Sequence, residues 1–217
     1  MNIIIHDELK KVLPDFTIGV LEFNATASQN EELSDYISAL EKDIQNKYQL
    51  EDCLTIPNIL AARNGYKTLG KDPSRYRLAV ESLYRRIVKG NPLYRINNLV
   101  DLGNVLSLLT KRSIAVLDED KILGEEVVIR IGQDEPYEGI GRGPLNISNI
   151  PVYCDEMGPF GSPTSDTERT MITEETKKVL LFIISFNGDH TIQEDLKLAI
   201  NLYQKYGNGH NFSYKII

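Results

Sequence analysis

Residues 177–186 read "KKVLLFIISF". After two lysines, six apolar residues run without a break. A strand with one wet face alternates polar and apolar side chains, so an unbroken run of β-branched and large apolar residues reads as a buried strand in the centre of a sheet. Its length also permits a helix start. The segment directly ahead is the opposite in character: "SPTSDTERTMITEET" (162–176) is dominated by hydroxyls and carboxylates. Such a run is either a surface linker or the wall of a pocket for a polar ligand.

Working outward from this pair, further short runs with strand composition are "FTIGVLEF" (16–23), "SIAVLD" (113–118), "EEVVIRI" (125–131), "PVYCDE" (151–156) and the closing "NFSYKII" (211–217). Helical periodicity marks other segments. Ser28 or Asn30 caps a helix carrying Leu33, Tyr36, Ile37, Leu40 and Ile44. A short helix is expected from Pro57 to Tyr66. Asp72 and Pro73 predict the start of another, with Tyr76, Ala79, Val80, Leu83 and Ile87 on one stripe and Gly90 at its end. Residues 95–113, "RINNLVDLGNVLSLLTKRS", give a helix with Leu99, Leu102, Val105, Leu106 and Leu109 inward. Its Asn98, Asp101 and Asn104 stand at i, i+3 and i+6 and are expected to share a polar face, for ligand recognition or to tie the helix to a loop. Thr191 and Glu194 predict a capping box ahead of a last helix. Helices gather in the first half and at the end, strands in the second half. The expected class is α+β, with helices packed on a mostly antiparallel sheet or sheet sandwich in a single domain over 1–217.

The 217 residues carry a net charge of −7, but unevenly. Residues 61–115 hold 11 lysines and arginines against three acids. Because salt screens distant charge beyond about 10 Å, an acidic protein can still bind a polyanion through one basic segment. Two distant cysteines and three scattered histidines exclude a disulfide framework and a zinc site by spacing, and no metal or cofactor is expected. No run approaches the roughly 20 apolar residues of a membrane helix, and the start "MNIIIHDELKKV" is not a secretion signal, so a cytoplasmic location is expected. Nucleophile elbows, P-loops and metalloprotease motifs are absent; the glycines of "PYEGIGRGPLN" (136–146) have neither the spacing nor the helix of a phosphate loop, and mark backbone in close approach to something else. Cys154 reads as a buried strand residue rather than a nucleophile.

The stretch "DPSRYRLAVESLYRRIVKGNPLYRINNLVDLGNVLSLLTKRSIAVLDEDKI" (72–122), with "SDTERTMITEETKKVLLFI" (165–183), resembles the B3/B4 domain, the editing module of the bacterial phenylalanyl-tRNA synthetase β subunit, which also occurs free-standing. The resemblance covers about 60–187. It implies hydrolysis of a mischarged aminoacyl-tRNA, here in trans, with tRNA as partner. Asn104 matches the family's pocket asparagine, Asp101 and Asp118 match other characteristic positions, and Glu168 falls where the synthetase reads the tyrosine hydroxyl. The synthetase's pocket histidine falls on Ala115, and its glycine-rich wall is replaced by "MGPFGSPTSDTERT", so the amino acid removed is expected to differ.

An aminoacyl ester is already activated, so an ordered water, donors for the carbonyl oxyanion and a polar cage for the amine suffice. The expected roles are Asn104 and Asn98 on water or carbonyl, Asp166 or Glu168 on the amine, and Ser165 and Thr170 lining the side-chain pocket. Arg169 orients Asp166 or meets the terminal phosphate, and Arg75, Arg77, Arg85 and Arg86 receive the acceptor stem. The alternatives are a non-catalytic binder of tRNA ends or amino-acid-like ligands, and a protein-interaction module.

Overall fold

A computed structural model describes residues 1–188 and 190–217. In chain order the elements are β1 (Asn2–Ile5), α1 (Asp7–Val12), β2 (Thr17–Asn24), α2 (Glu31–Lys47), α3 (Pro57–Thr68), α4 (Ala79–Val88), α5 (Asn98–Thr110), β3 (Ser113–Asp118), β4 (Glu126–Ile131), β5 (Glu138–Gly139), β6 (Gly143–Pro144), β7 (Pro151–Asp155), β8 (Gly158–Gly161), β9 (Lys178–Ser185), α6 (Ile192–Tyr206) and β10 (His210–Ile216). The class is α+β. One sheet has the order β10-β2-β9-β3 and is antiparallel throughout. The other, β1-β4-β7-β8, is mixed, since β1 runs parallel to β4.

The apolar run of 179–184 is a central strand, flanked by β2 and β3. Its residues alternate between two cores. Val179, Leu181 and Ile183 face the helices, packing with Leu102, Leu106, Leu196 and Tyr203. Leu180, Phe182 and Ile184 face the second sheet, meeting Ile129, Tyr153 and Phe160. With helices on one side and a sheet on the other, β9 has no wet face, which is why its sequence shows no alternation.

Two helix starts differ from expectation. Asp72 does not open a helix. Its carboxylate accepts the Ser74 N–H and its carbonyl the Tyr76 N–H, closing a single turn. The Arg63 guanidinium pins that turn by donating to the Pro73 carbonyl and the Ser74 hydroxyl, while forming a 2.7 Å pair with Glu81. The chain is extended at Leu78, and α4 starts only at Ala79. At α6, Thr191 has helical backbone and makes no capping bond; its hydroxyl instead accepts from Arg112, so the capping box does not form. At α2 the cap is Asn30, whose side chain accepts the Leu33 N–H.

Helix α5 ends at Lys111, which adopts a left-handed backbone (φ 58°) and turns the chain into β3. The two elements lie unusually close: a Cβ on Gly103 would sit 2.5 Å from Cγ2 of Val116. Glycine is what allows that approach. Among the described residues no helix is long and apolar enough to cross a membrane.

Candidate functional site

A cavity of about 400 Å³ opens where α4, α5 and β3 meet the loop 162–166 and the β5–β6 hairpin. Helix α5 presents Val100, Gly103, Asn104 and Ser107 to it, and α4 presents Ala79, Ser82 and Leu83. Strand β3 adds Ile114 and Val116. The loop closes the opposite wall with Ser162 to Asp166, and Ile140 and Arg142 of the hairpin stand at the rim. Most of the wall is apolar, with a few polar groups converging on it, which is the usual make-up of a small-molecule site.

The polar run thus forms part of a cavity wall, and its local bonding explains its composition. Ser162 Oγ donates to the Ser165 carbonyl and accepts the Thr164 and Ser165 N–H groups. Thr164 Oγ1 shares a 2.8 Å hydrogen bond with Tyr66. The Pro163 carbonyl accepts from Ala79 N and from Ser113 Oγ, joining the loop to α4 and β3. Tyr137 donates to the Ser165 carbonyl, and Ile140 N to the Asp166 carbonyl, joining it to the hairpin.

Asp166 is the least compensated charge here. Its carboxylate accepts one long bond, 3.3 Å from Ser162 N, and has no cationic partner among the described residues. The residue keeps some surface open, but protein surrounds the carboxyl, and burial pushes its pKa up to about 7. Tyr137 and Tyr153 lie close enough for its charge to raise their own pKa values further, after burial. A Cβ on Gly161 would lie 2.7 Å from the Asp166 carboxylate and 2.5 Å from the Tyr153 ring, so the close packing there depends on glycine. Such a carboxyl can accept an ammonium ligand or exchange a proton near neutral pH.

The sequence-expected residues separate into two groups. Asn104, Ser165 and Asp166 line the cavity. Asn98 does not. It is 1% exposed, its carbonyl accepts the Ser28 N–H at 2.8 Å, and its amide donates to the Tyr206 carbonyl. Asp101 accepts the Ile96 N–H; burial raises its pKa, and that bond and Arg95 pull it back. Asp118 holds Thr176 and Lys121. Arg169 makes a two-pronged pair with Asp155, at 2.8 and 2.9 Å, and does not reach Asp166. Thr170 is fully buried outside the cavity lining, and Glu168 is exposed, facing a neighbouring cleft. Ala115 points away from the cavity into the core between the sheets; Ile114 and Val116 face the cavity instead. The lack of a histidine at Ala115 therefore removes nothing from this wall.

The basic segment is also less available than its count implies. Arg63, Lys71 and Arg112 are buried, with Arg63 on Glu81, Arg112 on Asp195, and Lys71 on carbonyls of Asn146 and Ser148. Arg95 pairs with Glu41, and Arg86 donates to the Pro92 carbonyl. Arg85 is half-buried, while Arg75 and Arg77 are exposed. Sequence reasoning missed Arg142, Ser107 and Ser162. The only signal for Arg142 was its place among the hairpin glycines. Cys154 is buried with its thiol pushed up to about 11, which keeps it protonated and inert. Among the described residues no group of three or more His, Cys, Asp or Glu side chains could hold a metal ion.

Among solved structures the chain is similar to an N-terminal fragment of the phenylalanyl-tRNA synthetase β-subunit from Pyrococcus horikoshii, with 14% identity and a TM-score of 0.49. The alignment covers 99% of this chain and 50% of that one, so this chain spans half the length of that fragment. No curated protein sequence shows a significant match. The model of the B3/4 domain matches residues 61–206, a span containing the cavity wall on both sides, and the chain belongs to the B3/4 domain family.

Proposed function

We propose that this protein is a deacylase that hydrolyses the ester of a mischarged aminoacyl-tRNA. The observation that carries the reading is that Asn104, with no hydrogen-bond partner for its side chain among the described residues, faces the same cavity as the uncompensated Asp166 carboxyl. Family membership and the resemblance to an editing domain support it. Buried or half-buried polar groups are ordinarily bonded, so free ones in a cavity point to a ligand that completes them.

In this reading Asp166, as the carboxylate, takes the α-ammonium of the aminoacyl end. The Asn104 amide donates to the ester carbonyl oxygen and stabilises the charge that forms there. Water adds to the carbonyl carbon, and the bond from that carbon to the ribose oxygen breaks. The proton lost by the water passes to the departing ribose oxygen, with the adjacent ribose hydroxyl as relay. Free amino acid and uncharged tRNA result, with no side-chain nucleophile or covalent intermediate. Arg142 at the rim, together with the exposed Arg77 and Arg75, meets the terminal phosphates.

A second reading, a non-catalytic binder of tRNA ends or amino-acid-like ligands, draws on the same cavity. The internal commitment of much of the basic segment does not favour a polyanion in either case, and leaves the rim arginines as the main electrostatic contact. The test is release of amino acid from a panel of mischarged tRNAs, with Asn104→Ala alongside. One amino acid should be released well above the spontaneous rate, and the variant should lose about 100-fold in turnover with little change in tRNA affinity. No release from any member would overturn the deacylase.

A further inference from the structure

Ser107 sits one turn after Asn104 on the cavity face of α5 and is 3% exposed. Its hydroxyl makes no hydrogen bond among the described residues, and it stands on the cavity wall rather than among the sealed polar atoms without partners. That sets it apart. A helical serine or threonine commonly donates to the carbonyl four residues back. Ser38 does so to Ser34, Ser82 to Leu78, and Thr110, on the same helix, to Leu106. The cavity's other hydroxyls are likewise committed: Ser162 and Ser165 to carbonyls of their own loop, and Thr164 to Tyr66. A hydroxyl on a cavity wall with no protein partner is free to bond a ligand that enters.

The surroundings limit what that can be. Ile114, Val116 and Leu83 supply apolar wall, and among the described residues the only ionisable side chains lining the cavity are Asp166 and the rim Arg142. A charged acyl side chain would find no counter-ion beyond those two. We infer that Ser107 is a specificity-determining residue, reading a neutral hydrogen-bonding atom on an otherwise apolar acyl side chain, while Asn104 serves the ester common to every substrate. This rests on the deacylase reading for the identity of the ligand, so its test is made on binding alone.

Non-hydrolysable amide analogues of aminoacyl-adenosine are titrated into wild type, Ser107→Ala and Asn104→Ala by calorimetry. They are taken in pairs differing by one hydroxyl, such as threonyl against valyl and tyrosyl against phenylalanyl. In at least one pair the wild type should favour the hydroxyl member by about five- to tenfold. Ser107→Ala should erase that preference while binding the apolar member as before, and Asn104→Ala should weaken both members alike. A preference that survives in Ser107→Ala overturns the assignment, as does the absence of any preference in wild type, or of binding by every analogue. Alanine suits a helix interior, and an unchanged melting temperature separates loss of recognition from loss of fold. Binding with the expected preference but no hydrolysis would leave Ser107 as the selector and remove the deacylase instead.

Discussion

The two ends of α5 carry similar residues with opposite fates. At its start, Asn97 caps the helix, Asn98 is tied to Ser28 and Tyr206, and Asp101 holds the Ile96 N–H. One and two turns later, Asn104 and Ser107 face a cavity with no protein partner among the described residues. Asn98, Asp101 and Asn104 do not share a face, and helix geometry shows why. Each residue turns the helix by about 100°, so two steps of three leave the first and last about 120° apart. The cavity stripe is Val100, Gly103, Asn104 and Ser107, the i, i+3, i+4, i+7 set. The difference teaches that amide and hydroxyl groups on one helix are structural where distant backbone satisfies them, and available for chemistry where it does not.

The largest effect expected from this contrast is on stability. Asn98→Ala would leave the Ser28 N–H without its partner and take from the Tyr206 carbonyl one of its two donors, the other being the Asn30 amide, at a cost of about 1–3 kcal/mol. Chemical denaturation should show that loss, against a change within about 0.5 kcal/mol for Asn104→Ala. Equal losses in the two variants would break the comparison.

Asp166 sharpens it from the other direction, because an unsatisfied site group should be a burden on the fold. Its carboxyl titrates near 7 in the folded protein and near 4 in the unfolded chain. Between those values the folded state holds the extra proton, so stability falls as pH rises from about 4 to 7, and the full penalty is present above 7. Asp166→Asn removes the penalty. The variant should match wild type near pH 4 and exceed it at pH 8 by about 1–2 kcal/mol, after allowance for solvent screening at a partly open group. Deacylation should move oppositely: wild-type kcat/KM should rise through about pH 7 as the carboxylate forms, and the variant should lose that limb along with most activity. A variant that is less stable than wild type at pH 8 would show Asp166 to be a structural group.

Much of this arrangement was legible in the residues. The strands at 113–118 and 151–155 follow from composition, because β-branched and apolar runs bounded by polar turns leave little else, and the run at 178–185, whose length also permitted a helix start, is the central strand its unbroken apolar character indicated. The loop 162–166 stood out because so many hydroxyls beside a core strand need bonding partners. What stayed hidden depends on contacts far along the chain. Asn98 is claimed by partners 70 and 108 residues away, which no local pattern reveals. Asp72 and Pro73 form a good local helix start, overridden by Arg63 reaching in from α3. Ser107 lies inside an apolar run and reads as helix filler until its missing back-bond is seen. The edge strand β1, only four residues long, has too little pattern to identify and is defined by its parallel partner β4.

The smallest expected effect concerns the rim. Arg142 is exposed as a residue on a two-residue-strand hairpin, but burial of its guanidinium against the protein is the main cause that disfavours the cation, Tyr66 opposes that, and the charge of Arg77 adds a smaller repulsion. Among the described residues neither has a short acidic partner, since Glu81 stands 4.0 Å from Arg77 and is held at 2.7 Å by Arg63. Like charges repel unless an anion lies between them, so Arg142 at the cavity mouth, within range of the charge of Arg77, suits a phosphate. Arg142→Ala should leave stability unchanged and relieve that repulsion slightly. Affinity for tRNA should fall several-fold at low salt, and the slope of log affinity against log salt should flatten by about one, the signature of one lost phosphate contact. Asn104→Ala should leave that slope untouched. If Arg142→Ala changes turnover with no change in the salt slope, the rim arginine acts on the chemistry within the cavity and the electrostatic division between rim and interior fails.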